Sequence, residues 1–179
     1  MSPLVSVIIP CYNSGTYLPE ALASVEAYQG SYAYEIIIIN DGSTDPHTLE
    51  YLRELETRGY SILHQENKGA AAARNTGVRA ARGKYLLLLD SDNRIRPAYL
   101  EKGIPVLESR PDVGVVYGNA HFLEIPRGKV SKLRYSMVRS CSFPMLWICV
   151  RSFGKPSGSR SEGWTNKYRV ARTGNSGFA

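Results

Sequence analysis

Glu35-Ile36-Ile37-Ile38-Ile39-Asn40-Asp41-Gly42-Ser43-Thr44-Asp45 joins an unbroken apolar run to a polar loop. Four consecutive isoleucines leave no polar face, so the run predicts a strand covered on both sides, as in a parallel sheet. The loop has the residue types of a tight turn, with Ser43 or Asp45 suited to cap a following helix. That helix is predicted near Thr48–Arg58, where Leu49, Leu52 and Leu55 fall on one face.

The same alternation extends in both directions. Upstream, Leu4–Pro10 is a β-branched strand and Ser14–Ala27 a helix with Leu18, Leu22 and Val25 at helical spacing. Downstream, strands are predicted at Tyr60–His64, Tyr85–Leu89 and Val113–Tyr117, and helices at Gly69–Ala81 and Pro97–Ser109. Strand and helix alternate through residue 117, which predicts a three-layer α/β/α sandwich around a mainly parallel sheet. Ligands of such sheets bind outside the carboxyl ends of the strands. The informative loops are therefore Pro10–Ser14, Asn40–Asp45, Gln65–Gly69 and Asp90–Asn93.

Asp90-Ser91-Asp92 follows Leu86–Leu89 directly. Two carboxylates at i and i+2 past a strand end can both face a cleft. Mg²⁺ and Mn²⁺ favour such oxygen ligands together with substrate phosphates. A solvated turn has the same pattern. Asp41 could accept a hydrogen bond from a base N–H, or serve only the turn. Tyr12 could stack on a nucleobase, or be a partly buried tyrosine. In Asn67-Lys68-Gly69-Ala70-Ala71-Ala72-Ala73-Arg74-Asn75 the small residues allow close approach, and Lys68 and Arg74 could neutralise phosphate. A plain alanine-rich helix fits the same letters. His47, His64 and His121 show no ligand spacing.

Composition narrows the class. The 179 residues are 43% apolar and 21% charged, which fits one folded domain. No apolar run reaches the roughly 20 residues of a membrane span, and MSPLVSVIIP lacks the basic start of a signal peptide. Cys11, Cys141 and Cys149 are too few and scattered for a disulfide framework or zinc cluster, so a cytoplasmic setting is expected. The net charge of +6 arises entirely after residue 134: residues 1–134 carry 15 basic and 15 acidic residues, and residues 135–179 carry seven basic residues and Glu162. A neutral first part argues against nucleic-acid binding.

Taken together, PCYN after the first strand, NDGSTD after the second, NKGAAAARNTG before a helix and LLLLDSD resemble the family 2 inverting glycosyltransferases. The resemblance covers about residues 3–125. It implies the Rossmann-like GT-A fold of nucleotide-diphospho-sugar transferases, a UDP-linked donor, a Mn²⁺ or Mg²⁺ cofactor and a saccharide or lipid-linked acceptor. It also implies a place in cell-envelope or polysaccharide biosynthesis, and leaves peripheral association with the inner face of a membrane and oligomerisation open. Pro10, Tyr12 and Asp41 would contact the base, and Arg74 would lie near the phosphates. Asp90 would face the ribose or sugar, and Asp92, with Asp90, would serve the metal. Asn13, Asn67, Lys68, Gly69 and Ser91 complete the implied donor site, and Asn75 sits in the same stretch.

Inversion needs a general base, which in this family is a downstream carboxylate. The acidic residues after Asp92 are Glu101, Glu108, Asp112, Glu124 and Glu162, and none has the family's E-D-x setting. Domain 1–134 therefore reads as an incomplete GT-A unit, and 135–179 as an atypical basic tail, out of frame or poorly ordered. Back-translated and read from the third base of each codon, Gly163–Ala179 can yield LDKQIPGCEDWELWLR, with E-D-W-E where the base is expected. Two other readings are a fragment that binds nucleotide and metal without turnover, and a nucleotidyltransferase. The latter normally has a glycine-rich basic loop after its first strand, which Pro10–Gly15 is not.

Overall fold

The computed structural model describes residues 2–117 and the backbone of two later strands, Trp147–Val150 and Arg169–Arg172. In chain order the elements are β1 (Val5–Cys11), α1 (Leu18–Glu26), β2 (Tyr34–Asp41), α2 (Pro46–Thr57), β3 (Ser61–Gln65), α3 (Ala70–Ala80), β4 (Tyr85–Leu88), α4 (Ala98–Ser109), β5 (Val113–Tyr117), β6 (Trp147–Val150) and β7 (Arg169–Arg172). The strands form one sheet in the order β3-β2-β1-β4-β6-β5-β7. β1 lies parallel to both β2 and β4, with Ile8 opposite Ile37 and Leu88. β6 runs antiparallel to β4 and β5, and β7 pairs parallel to β5. The sheet is mainly parallel, as the alternation predicted.

Side-chain alternation in β1 builds the three layers. Val5, Val7, Ile9 and Cys11 share a core with Leu22 and Val25 of α1, Leu52 and Leu55 of α2, and Leu100 and Ile104 of α4. Ile8 points the other way and joins Ile37, Ile39 and Leu86 beneath Ala73 of α3. Three helices thus cover one face and α3 the other. Burial on both faces explains why the Ile36–Ile39 run carries no polar alternation.

The small residues of α3 acquire a definite meaning here. Ala73 and Gly77 are its buried positions. A Cβ on Gly77 would run into the Ile8 side chain and come within 2.7 Å of Ile39 Cδ1. The close approach these residues permit is therefore chiefly that of helix to sheet.

The start of α1 and two later strands depart from expectation. Ser14–Tyr17 forms a turn before α1, with Ser14 O accepting the N–H groups of Tyr17 (3.0 Å) and Leu18 (3.1 Å). Pro19 then suits the first turn of the helix. β6 and β7 come from the segment where the sequence shows no strand period, and four residues each are too few to establish one. His121, Glu124 and Glu162, and the tail apart from these two strands, lie outside the described residues.

Candidate functional site

The chain runs from β1 outward through β2 to β3, then crosses back to place β4 on the other side of β1. Loops leaving β1 and β4 diverge at this reversal and open a crevice beyond the strand ends. A cleft of about 460 Å³ lies there. Pro10 and Cys11 line it from the end of β1, and Tyr12, Asn13, Ser14 and Tyr17 from the loop that follows. Asp41 lines it from β2, Ala70 and Arg74 from α3, and Asp90, Ser91 and Asp92 from the loop after β4.

Asp41 is buried at 3% exposure. Its Oδ1 accepts from Gln65 Nε2 (2.6 Å) and from the Lys68 N–H (3.0 Å). These bonds tie the loop after β3 to the end of β2. Gly42 makes the approach possible: its φ is +70°, and a Cβ there would lie 2.7 Å from Asn67 N. Asp41 is thus both a turn residue and a cleft wall.

Asn13 has left-handed φ (50°), and its side chain clamps two loops together. Oδ1 accepts the N–H groups of Thr44 (2.8 Å) and Asp45 (2.9 Å), while the Asn13 N–H donates to Ser43 Oγ (3.1 Å). Asp45 caps α2 by accepting from Thr48 N–H (2.8 Å) and Thr48 Oγ1 (2.7 Å). These two bonds hold the Asp45 carboxyl below its ordinary pKa. Thr48 Oγ1 also accepts the Gly15 N–H at 2.9 Å, so the first two loops are joined at a second point.

Arg74 and Asp90 form an ion pair across the cleft floor, Nη2 to Oδ1. The turn that carries Asp90 is closed by the Asn93 N–H donating to Asp90 O at 3.0 Å. Ser91 is buried, whereas Asp92 is exposed and makes no hydrogen bond or ion pair among the described residues. The described residues hold no group of three or more His, Cys, Asp or Glu side chains able to bind a metal. A divalent ion that keeps waters and substrate phosphates needs only one or two carboxylates. The exposed Asp92 fits that requirement, with Asp90, whose Oδ1 is held by Arg74, two residues before it.

Tyr12 and Tyr17 are the exposed large hydrophobic residues among those described, at 49% and 58%, and both line the cleft. Tyr12 is therefore exposed rather than partly buried. The sequence reading passed over Tyr17 and Ala70 because it placed them inside helices. Pro19, which suits the first turn of a helix, is the sequence signal that α1 begins after Tyr17. Of the other expected residues, Asn67, Lys68 and Gly69 do not line the cleft, although the Lys68 amide holds Asp41. Asn75 is exposed on α3. Cys11 is buried, and burial pushes its thiol pKa up, so it is a packing residue. Glu101 accepts from the Tyr28 hydroxyl at 2.6 Å, Glu108 pairs with Lys84 at 2.8 Å, and Asp112 pairs with Arg110 at 3.2 Å. None of the three lines the cleft.

A mainly parallel sheet flanked by helices, with an exposed aromatic pair, a buried carboxylate and an acidic turn at its switch point, is the architecture of the GT-A glycosyltransferase fold. The chain belongs to glycosyl transferase family 2, whose family model matches residues 6–166, further along the chain than the motifs quoted above. It is similar to glycosyltransferase GlyG of Streptococcus pneumoniae, 38% identical over 124 residues that cover 66% of this chain and 40% of GlyG. Glycosyltransferase AglE of Haloferax volcanii is 35% identical over 138 residues, 74% of this chain and 44% of AglE. The chain thus spans less than half the length of either relative. Among solved structures it is similar to residues 1–349 of S. aureus TarS in complex with UDP-GlcNAc. The TM-score is 0.57 at 25% identity, covering 69% of this chain and 37% of that one. The mannosyltransferase PcManGT of Pyrobaculum calidifontis, in complex with GDP-Man and Mn²⁺, gives a TM-score of 0.55 at 26% identity. It covers 68% of this chain and 36% of that one. Among the described residues, no helix is long and apolar enough to cross a membrane.

Proposed function

We propose that this chain is the donor-binding part of an inverting glycosyltransferase that takes a UDP-linked sugar with a divalent metal. The observation that carries this reading is the convergence of Tyr12, Asp41, Arg74 and the Asp90–Asp92 turn on one cleft at the switch point. The Tyr12 ring stacks on the base, with Tyr17 as a further wall. Asp41 accepts a base N–H. Arg74, held by Asp90, faces the phosphates, and Asp90 the ribose or sugar. Asp92, assisted by Asp90, holds Mn²⁺ or Mg²⁺, which supplies Lewis-acid stabilisation of the departing diphosphate. The acceptor is a saccharide or lipid-linked hydroxyl compound in envelope or polysaccharide assembly. The chain works in the cytoplasm, at the inner membrane face where its acceptor is lipid-linked.

Among the described residues the cleft-lining carboxylates are Asp41, Asp90 and Asp92, all assigned to the donor side, so none of these three serves as general base. That favours a second reading, donor binding without turnover, for the chain as it stands. The E-D-W-E string of the alternative frame would supply the base.

Calorimetry of UDP with and without Mn²⁺ tests the proposal. Mn²⁺ is expected to strengthen UDP binding, and Asp92→Asn to abolish the strengthening while the melting temperature holds. Equal affinity with and without metal in the parent chain refutes the metal assignment.

A further inference from the structure

Three side chains in one row reach from α1 to the segment that follows the Asp90–Asp92 turn. Glu20 and Ser24 lie on α1 and Tyr28 just past its end, each four residues from the next, so they stack along one side. Glu20 Oε2 pairs with Arg94 Nη1 at 3.0 Å. Ser24 Oγ accepts the Ile95 N–H at 3.1 Å and donates to Ala21 O at 2.7 Å. The Tyr28 hydroxyl donates to Glu101 Oε1 at 2.6 Å, and this pair occupies the space a side chain at Gly30 would need.

On the upstream side, the Leu89 N–H donates to Ile8 O at 3.0 Å, which continues the β1 ladder to the edge of the turn. Residues 90–94 therefore bridge two fixed points, the sheet on one side and the α1 row on the other. The Glu20–Arg94 pair is largely exposed, and exposed pairs hold little. Ile95 is buried at 5% and packs in the main core. The hydrogen bond that its N–H donates to Ser24 Oγ is the internal anchor.

We propose that Ser24 is a positioning residue for the acidic turn, fixing the Asp90 and Asp92 carboxylates where a nucleotide-bound divalent cation can use both. The inference rests on the reading that Asp92 holds the cation. Without the serine hydroxyl the Ile95 N–H must find another acceptor, by moving or by admitting water. Ile95 follows the turn that the Asn93 N–H closes onto Asp90 O, with only Arg94 between them, so the displacement reaches the carboxylates. Groups that bind an ion need placement within about 0.5 Å, a far stricter demand than folding makes. α1 also begins at the end of the loop that carries Tyr12 and Tyr17. One rigid helix thus sets the spacing between the base wall and the acidic turn.

The test compares the full chain with Ser24→Ala and Ser24→Thr by calorimetry of UDP, first with EDTA and then with Mn²⁺, alongside thermal melts. Ser24→Ala is expected to bind UDP in EDTA within about twofold of the parent and to lose about tenfold of the Mn²⁺-dependent gain, the lower end for residues that orient metal ligands. Ser24→Thr keeps the hydroxyl and is expected to retain the gain. An unchanged gain in Ser24→Ala overturns the inference. So does an equal loss in both variants, or an equal weakening of the metal-free affinity, since either marks a general packing defect. A parent chain with no Mn²⁺-dependent gain overturns the cation reading together with this inference, and the parent measurement alone distinguishes that case.

Discussion

Asp41→Asn separates the two duties of a single carboxylate. Oδ1 of Asp41 faces two donors, Gln65 Nε2 at 2.6 Å and the Lys68 N–H at 3.0 Å. An asparagine must keep its carbonyl oxygen on that side, because its amide nitrogen cannot accept from either. The Nδ2 group then turns toward the cleft and replaces an acceptor with a donor. A base that presents an N–H there loses a hydrogen bond to a charged group, worth about 1.5–3 kcal/mol. At about 1.4 kcal/mol per tenfold, UDP affinity should fall by about 10- to 150-fold. The loop bonds survive, so thermal stability should change little. Asp41→Ala instead strips both donors of their acceptor and should lower stability as well. The assay is calorimetry of UDP paired with thermal melts for both variants. Undiminished UDP affinity in Asp41→Asn would return Asp41 to a purely structural role.

Gly77→Ala should destabilise the fold by up to about 2 kcal/mol. Overpacking against Ile8 and Ile39 costs about 1–3 kcal/mol, and helix propensity returns at most about 1; denaturant unfolding reads the difference. Glu35 gives an acid-side prediction. Burial raises its pKa, but hydrogen bonds from Ser6 Oγ and from Arg82, with the Arg82 charge, outweigh it and leave the pKa below the usual 4.5. A depressed carboxylate stabilises the fold above its unfolded pKa and loses that contribution as pH falls through the folded value. Stability should therefore drop as pH falls below about 4.5, and Glu35→Gln should flatten that slope in melts taken between pH 3 and pH 7. Transfer is expected to rise by about 10²–10⁴-fold, the usual share of base catalysis, when the alternative frame is restored after about Tyr135. Release of UDP with a mixture of acceptors measures it, and equal rates for the two chains would refute the need for that base.

What could be read from the letters alone was local and periodic. The isoleucine run of β2, the leucines before Asp90 and the helical spacing of Leu18, Leu22 and Val25 each declare an element, because burial on two faces or one leaves its period in the sequence. Alternation of those elements implies a parallel sheet, and the sheet implies that the loops after β1, β2 and β4 share a rim. That is why Tyr12, Asp41 and Asp90–Asp92 could be named from the letters, whereas Pro10 entered through the family resemblance and Arg74 through the basic, small-residue stretch before α3; all of them line the cleft. Tertiary structure decided matters that depend on distance between remote residues. Only folding shows that Arg74 neutralises Asp90, that Asn13 clamps Thr44 and Asp45, and that Asp41 is half occupied by the loop after β3. It also directs the small residues of α3 at Ile8 and Ile39, and brings Tyr17 out of a supposed helix to the cleft. The sequence encodes which face of each element is apolar, since hydration acts on every residue separately. Which polar atoms then find one another depends on the crossover that sets β4 beside β1, and no local pattern carries that information.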